Sequence, residues 1–143
     1  MSKKFLVVGN PIEHSLSPKL HNYWIKKNNI KASYEKKLLE EGGLKKIILE
    51  IREEKIHGIN VTVPFKKKII PFLDVLTDEA NKSQSVNTIY KIKDKIIGDN
   101  TDIEGFKIAL ETTRQIINNK TALIIGAGGV VPSIIIALKK LQI

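Results

Sequence analysis

The sequence predicts an α/β fold: an open, mainly parallel twisted sheet flanked by helices, followed by the first βα unit of a Rossmann-like domain. Three observations carry that prediction. Short apolar runs at Phe5–Val8, Ile56–Val63 and Thr121–Ile125 each end at a glycine or proline turn, as strands covered on both faces do. Segments with helical spacing of apolar residues alternate with those runs. Finally, polar side chains gather where the runs end, and in open α/β sheets the carboxyl ends of strands are where ligands sit.

Phe5 to Val8, stopped by Gly9-Asn10-Pro11, reads as the first buried strand. Ser17 with Pro18 behind it has the form of an N-cap followed by proline at the first helical position, and Leu20, Tyr23, Trp24 and Ile25 give that helix an apolar face. Ala32 to Leu39 alternates weakly as a second strand, and Glu40 to Glu54 carries Leu44, Ile47, Ile48 and Ile51 at helical spacing. The third strand contains Ile56, Ile59, Val61 and Val63, with Pro64 ending it and a short helix opening at Phe65-Lys66. Strand, helix, strand, helix, strand makes a right-handed parallel unit the natural architecture. Leu73 to Lys82 is expected to be helical after Pro71. Ser85 to Tyr90 and Lys95 to Gly98 are expected as two strands joined at Lys93-Asp94, and Thr101 or Asp102 is expected to cap a helix through Ile103, Phe106 and Leu110. The final stretch runs from a strand at Thr121–Ile125 through Gly126-Ala127-Gly128-Gly129 into a helix with Ile134, Ala137 and Leu138. Strand, glycine turn and helix in that order present backbone amides to a pyrophosphate, although Val131 stands where the fingerprint has its third small residue.

Composition narrows the function classes. The 24 basic side chains against 15 acidic ones give a net charge of +9, and all but Arg52 and Arg114 of the basic ones are lysine. They are scattered with few aromatics between them, so no nucleic-acid groove is evident. A basic surface does favour acidic small molecules. There is no cysteine, hence no disulfide framework and no thiolate chemistry. The opening apolar run is too short for a signal peptide and no stretch is long enough to span a bilayer. A cytoplasmic protein without membrane partners is the expectation.

Certain polar positions exceed what the scaffold needs. Asn60 and Thr62 interrupt a buried strand, so each must either brace neighbouring backbone or line a cavity for a polar ligand. Ser15 and Ser17, two apart beside a helix N-terminus, can grip a carboxylate with help from free amides. Lys66 begins a helix where a strand ends, in a lysine triplet that on its own would read as a solvated face. Asn87 by itself reads as a local brace and Asp102 as a cap. An aspartate beside a lysine, however, can hold the ammonium in place and share its proton, as a pocket exchanging protons with an alcohol requires.

Five motifs, in order and at matching spacing, identify a family resemblance. They are Gly9-Asn10-Pro11-Ile12-Glu13-His14-Ser15-Leu16-Ser17-Pro18 with His21-Asn22, Asn60 to Lys66, Val86-Asn87-Thr88, Asn100-Thr101-Asp102-Ile103-Glu104-Gly105, and Gly126-Ala127-Gly128-Gly129. Together they resemble shikimate dehydrogenase, a family that reduces 3-dehydroshikimate to shikimate with NADPH. The resemblance implies that Ser15 and Ser17 bind the substrate carboxylate and that Thr62, Asn87 and Asp102 bind ring hydroxyls. It makes Lys66, paired with Asp102, the catalytic acid/base. Gly126, Ala127, Gly128, Gly129 and Val130 would hold the phosphates of NADP, and Asp78 would face the cofactor. It divides the chain into a substrate-binding domain at 1–102, a linking helix at 103–118 and the start of an NADP-binding domain at 119–143. On that reading the chain is about the first half of such an enzyme, with the loop that selects NADP absent. Two alternatives remain: a quinate/shikimate enzyme using NAD, and a non-catalytic shikimate-binding or regulatory module.

Overall fold

A computed structural model of the chain describes residues 2–113, 117 and 119–143. Its centre is β1 (Lys3–Gly9), which pairs in parallel with β2 (Ala32–Leu38) on one side and with β3 (Gly58–Val61) on the other. The connections run through α1 (Ser17–Lys27) and α2 (Leu44–Arg52). Beyond β3 the chain continues through α3 (Phe65–Lys68), β4 (Val75–Leu76) and α4 (Asp78–Ser83). The hairpin of β5 (Thr88–Ile92) and β6 (Lys95–Asp99) follows, then α5 (Asp102–Thr112) and α6 (Val131–Lys140). The six strands lie in the order β2-β1-β3-β5-β6-β4. β5 is antiparallel to β3 and to β6, while β4 is parallel to β6. The sheet is thus mixed and mostly parallel, as the apolar runs predicted.

Alternation along the strands divides the core into two layers. Leu6 and Val8, Ile59 and Val61, Ile89 and Ile96 point to one face, where Leu44, Ile47, Ile48 and Ile51 of α2 meet them together with Phe65 and Ile69. Every apolar residue assigned to the inner stripe of α2 is buried. On the opposite face Val7, Ile12 and Tyr34 form a smaller cluster, against which Phe5 and Ile25 pack.

Several local expectations are corrected. The Leu73–Lys82 segment is not one helix: Val75–Leu76 pairs with Ile97–Gly98 as an edge strand, and the helix starts only at Asp78, where the Thr77 hydroxyl caps the Ala80 amide. Val63 lies beyond the end of β3 and is exposed. The apolar face expected of α1 is open to solvent, with Leu20, Tyr23 and Trp24 all exposed. Only Ile25 of that face packs inward, against the smaller cluster, and it is joined there by His21, stacked on Tyr34, and Asn22, which brackets the Tyr34 backbone. Thr121–Ile125 forms no strand, and Leu123 and Ile125 are exposed. A strand needs a hydrogen-bonded neighbour, and none of the described residues provides one there. The far end of the linking helix at 114–116, and Asn118 of the polar connector, lie outside the described residues.

One ion pair ties the end of α2 to the far edge of the sheet. Arg52 Nη2, at the end of α2, donates to both carboxylate oxygens of Asp74 at 3.1 and 3.0 Å, and the Ile96 amide donates to Asp74 Oδ2 at 2.6 Å. The Arg52 hydrogen bond, followed by that of the Ile96 amide, holds the Asp74 carboxyl below its ordinary range. Because the folded-state value is depressed, the stabilisation is present above the unfolded value and is lost as pH falls through the folded one. Both partners are partly solvated, so the contribution is no more than about 1 kcal/mol. Asp74→Asn is therefore expected to lower stability at neutral pH, with the difference from the parent chain shrinking on acidification through the carboxylate range; urea titrations at successive pH values measure it.

Candidate active site

The topology brings four separate segments to one edge of the sheet. Val8 pairs with Val61, Asn60 with Thr88, and Thr88 with Asp99. The carboxyl ends of β1, β3 and β6 and the amino end of the reversed β5 therefore coincide. From this edge leave the loop of Ser15 and Ser17, the Thr62–Lys66 segment, Asn87, and the Asn100–Asp102 turn. Gly9 allows the first two to lie close: a Cβ there would stand 2.5 Å from Thr62 Cγ2 and 3.0 Å from the Val63 carbonyl oxygen. The Thr62 amide donates to Val8 O at 3.0 Å and the Asn10 amide to Val63 O at 3.0 Å, fixing the two exits side by side.

Lys66 and Asp102 meet at this edge. Lys66 Nζ lies 2.7 Å from Asp102 Oδ2, with side-chain exposures of 14% and 23%. The other carboxylate oxygen, Oδ1, accepts from Asn87 Nδ2 at 2.8 Å. Asn87 Oδ1 in turn accepts from the Thr101 amide at 3.0 Å, so the orientation of the Asn87 amide is set by a backbone donor. The result is an ammonium and a carboxylate locked together by an amide on a half-buried floor, an arrangement that can deliver a proton to an oxygen placed above the lysine.

Neither Thr101 nor Asp102 caps α5, contrary to expectation. Thr101 has a helical backbone and makes no capping hydrogen bond. Instead the Asn100 Oδ1 atom accepts from the Asp102 and Ile103 amides at 3.0 and 3.3 Å. The Asp102 carboxylate is thereby released for Lys66. Asn100 is 2% exposed, and its Nδ2 reaches Ser83 Oγ, the Ser85 carbonyl and Ser133 Oγ at 3.0, 2.8 and 2.8 Å. In the sequence Asn100 stands only as the first letter of a motif, with no role of its own. The available signal was an asparagine two residues ahead of a helix-opening aspartate; its long-range partners had no signal at all.

Ser17 does not cap α1 either. Leu16, with α-helical angles, takes the N-cap position, so Ser17 is the first residue of the helix itself. The Ser17 amide donates weakly to Ser15 Oγ at 3.4 Å. Of the two readings left open for Asn60, the structure favours a brace: its Nδ2 donates to Asn87 O and Thr88 Oγ1, and its Oδ1 accepts from Tyr34.

Thr62 and Lys66 form one wall of a cleft of about 590 Å³ whose other wall is Gly128, Gly129 and Val130. The glycine turn is fastened there by the Ser85 hydroxyl, which donates to Gly129 O at 3.1 Å, and by Lys140, which pairs with Glu79 at 2.8 Å. Gly126 has φ +118°, a conformation that suits glycine, and an added Cβ at Gly126, Gly128 or Gly129 would meet nothing within 4 Å. The turn leads into the N-terminus of the ten-residue α6. Open space over a glycine backbone, at the positive end of a helix, fits a pyrophosphate. Asp78 does not line this cleft; its side chain is 88% exposed and lies 3.8 Å from Lys82.

The structure is thus an open α/β domain whose Lys66, paired with Asp102, lines a cleft opposite a glycine turn. Residues 7–89, more than half of the chain, match the model of the shikimate dehydrogenase substrate binding domain. Over its whole length the chain is 71% identical to the shikimate dehydrogenase (NADP(+)) of Pelagibacter ubique, covering 54% of that protein. Its structure resembles that of Aquifex aeolicus shikimate dehydrogenase, with a TM-score of 0.91 and 38% identity over 97% of this chain and 52% of that one. It also resembles the shikimate 5-dehydrogenase of Thermus thermophilus in complex with NADP(H) and shikimate, with a TM-score of 0.89 and 32% identity over 96% of this chain and 52% of that one. The chain belongs to the shikimate dehydrogenase family and spans about half the length of the curated relatives it matches.

Among the described residues no helix is long and apolar enough to cross a membrane. The double role of Asn100 makes a direct prediction. Asn100→Ala strips the acceptor from two helix-opening amides and the donor from three oxygens, and is expected to destabilise the fold by about 1–3 kcal/mol. Thr101→Ala, which leaves that cap intact, is expected to cost less; chemical denaturation of the two variants side by side tests the ranking.

Proposed function

We propose that the chain supplies the substrate site and the phosphate-binding turn of an NADP-dependent shikimate dehydrogenase, interconverting 3-dehydroshikimate and shikimate. The observation that supports this reading best is the 2.7 Å contact between Lys66 and Asp102 beside the cleft that Gly128–Val130 closes. On this reading residues 1–102 form the substrate-binding part, 103–118 the link, and 119–143 the opening of the nucleotide-binding part.

NADPH, when bound, supplies the hydride. The protein's own work is to bind, orient and protonate. Reduction of a ketone builds negative charge on its oxygen, and the Lys66 ammonium both stabilises that charge and delivers the proton. Asp102 holds the ammonium in position and, with Thr62 and Asn87, accepts or donates hydrogen bonds to the ring hydroxyls. Ser15 and Ser17 receive the carboxylate. Their place is consistent with this, since Ser17 Oγ is not consumed by a helix cap and the loop that carries both hydroxyls leaves the same sheet edge as Lys66. Gly126, Ala127, Gly128, Gly129 and Val130 would hold the pyrophosphate through backbone amides. Asp78 is assigned to the cofactor side because it opens α4, whose next residue, Glu79, is bonded to α6 through Lys140.

In the full-length enzyme, Lys66→Ala is expected to lower kcat by about 10²–10⁴-fold, the range for loss of a positioned acid/base. KM for 3-dehydroshikimate should change far less. Oxidation of NADPH, followed by its absorbance, gives both constants; an undiminished kcat removes the proposed mechanism. Running shikimate against quinate and NADPH against NADH in the same assay fixes substrate and cofactor preference.

A further inference from the structure

We propose that Tyr34 is a positioning residue for the Lys66–Asp102 pair, acting through a directed hydrogen-bond chain that runs Tyr34, Asn60, Thr88, Asn87, Asp102. The word "positioning" rests on the function proposed above; the chain itself does not.

Each proton in this chain is assigned by an atom whose role is fixed. The Thr101 amide can only donate, and it donates to Asn87 Oδ1, so Asn87 Nδ2 faces Asp102 Oδ1. Thr88 Oγ1 lies 3.0 Å from Asn87 Oδ1, which cannot donate, so the Thr88 hydroxyl gives its proton to Asn87. Thr88 is then left as an acceptor for Asn60 Nδ2 at 3.1 Å. The same Asn60 nitrogen lies 3.2 Å from the Asn87 carbonyl, which cannot donate either, so the Asn60 amide has only one acceptable orientation. Its oxygen must face Tyr34, whose hydroxyl donates to it at 2.6 Å. Burial pushes the Tyr34 phenol above its ordinary value, so it carries its proton throughout the working range.

The phenol is itself held firmly. Its backbone is bracketed by Asn22 at 2.7 and 3.0 Å, and its ring is stacked on His21 with centroids 4.1 Å apart and planes 6° from parallel. Removing only the hydroxyl leaves Asn60 Oδ1 without that donor, so the amide, whose orientation the Asn87 carbonyl still sets, is held from its nitrogen side alone. A less firmly held Asn60 nitrogen supports Thr88 Oγ1 less, and the Thr88 hydroxyl's bond to Asn87 loosens with it. The Thr101 amide still holds Asn87, so the outcome is a loosened carboxylate partner rather than a collapsed site.

The test uses Tyr34→Phe, which keeps the stacked ring. In the 15N-labelled chain, the side-chain amide signals of Asn60 and Asn87 are expected to shift and to exchange with solvent about threefold faster or more, while backbone amides of the core strands keep their protection. Thr88→Val, which cuts the middle link, is expected to give the same change at Asn87, and Thr88→Ser, which restores a hydroxyl, to reverse it. Asn87 signals that stay in place with unchanged exchange in Tyr34→Phe overturn the proposal whatever Thr88→Val does, and if Tyr34→Phe fails to fold, unchanged Asn87 signals in Thr88→Val overturn it. None of these readings involves turnover, so a failure of the proposed reaction shows separately in the Lys66→Ala assay.

Discussion

The contact between Lys66 and Asp102 is the constraint to which the rest of the sheet edge is fitted. At an effective dielectric of about 20, two unit charges that close attract by about 6 kcal/mol, but much of that is offset by drawing both out of water. The pair therefore contributes little net stability, and a fold selected only for stability would have no use for it. What it needs is a scaffold that joins residues 36 apart in sequence at 2.7 Å. The reversal of β5 meets that need. Were β5 parallel to β3, Asn87 would emerge at the opposite edge, and Asp102 would lose the donor that occupies its second oxygen.

Much of this was legible in the letters, and the reason is periodicity. Leu44, Ile47, Ile48 and Ile51 announced a helix with one buried stripe, and Phe5–Val8 a strand covered on both faces; both are local patterns, set by neighbours a few residues away. The family resemblance implied that Ser15, Ser17, Thr62, Lys66, Asn87 and Asp102 share one site, and among them Lys66, Asp102 and Asn87 are joined by hydrogen bonds. The misreadings came where a residue has two competing uses. Ser17 and Asp102 have the right chemistry for caps, and sequence alone does not say that Asn100 takes the capping role for α5 or that Leu16 already lies in the helical region. Thr121–Ile125 reads as a strand by composition, but pairing is a property of two segments, not one. The exposed part of the α1 face escaped for a related reason: of the four apolar letters only Ile25 packs inward, and the other docking contacts are made by a histidine stack and an asparagine.

Asn100 shows how the two walls of the cleft are tied to each other. Its carbonyl oxygen holds the opening turn of α5, and with it the backbone of Asp102; its nitrogen reaches the buried Ser133 hydroxyl of α6. Ser85, whose carbonyl also accepts from Asn100, uses its own hydroxyl to hold Gly129. The carboxylate and the glycine turn are thus anchored to the same small set of buried polar atoms. In the hydride transfer proposed for the full-length enzyme, error in the separation of donor and acceptor would be costly, since reacting atoms must approach to about 3–3.5 Å. A shared anchor removes one source of that error. It also accounts for the cluster of buried serines and one asparagine at a place where apolar packing would have been the simpler way to join a helix to a sheet: apolar contacts tolerate sliding, while a fully satisfied hydrogen-bond network admits one register.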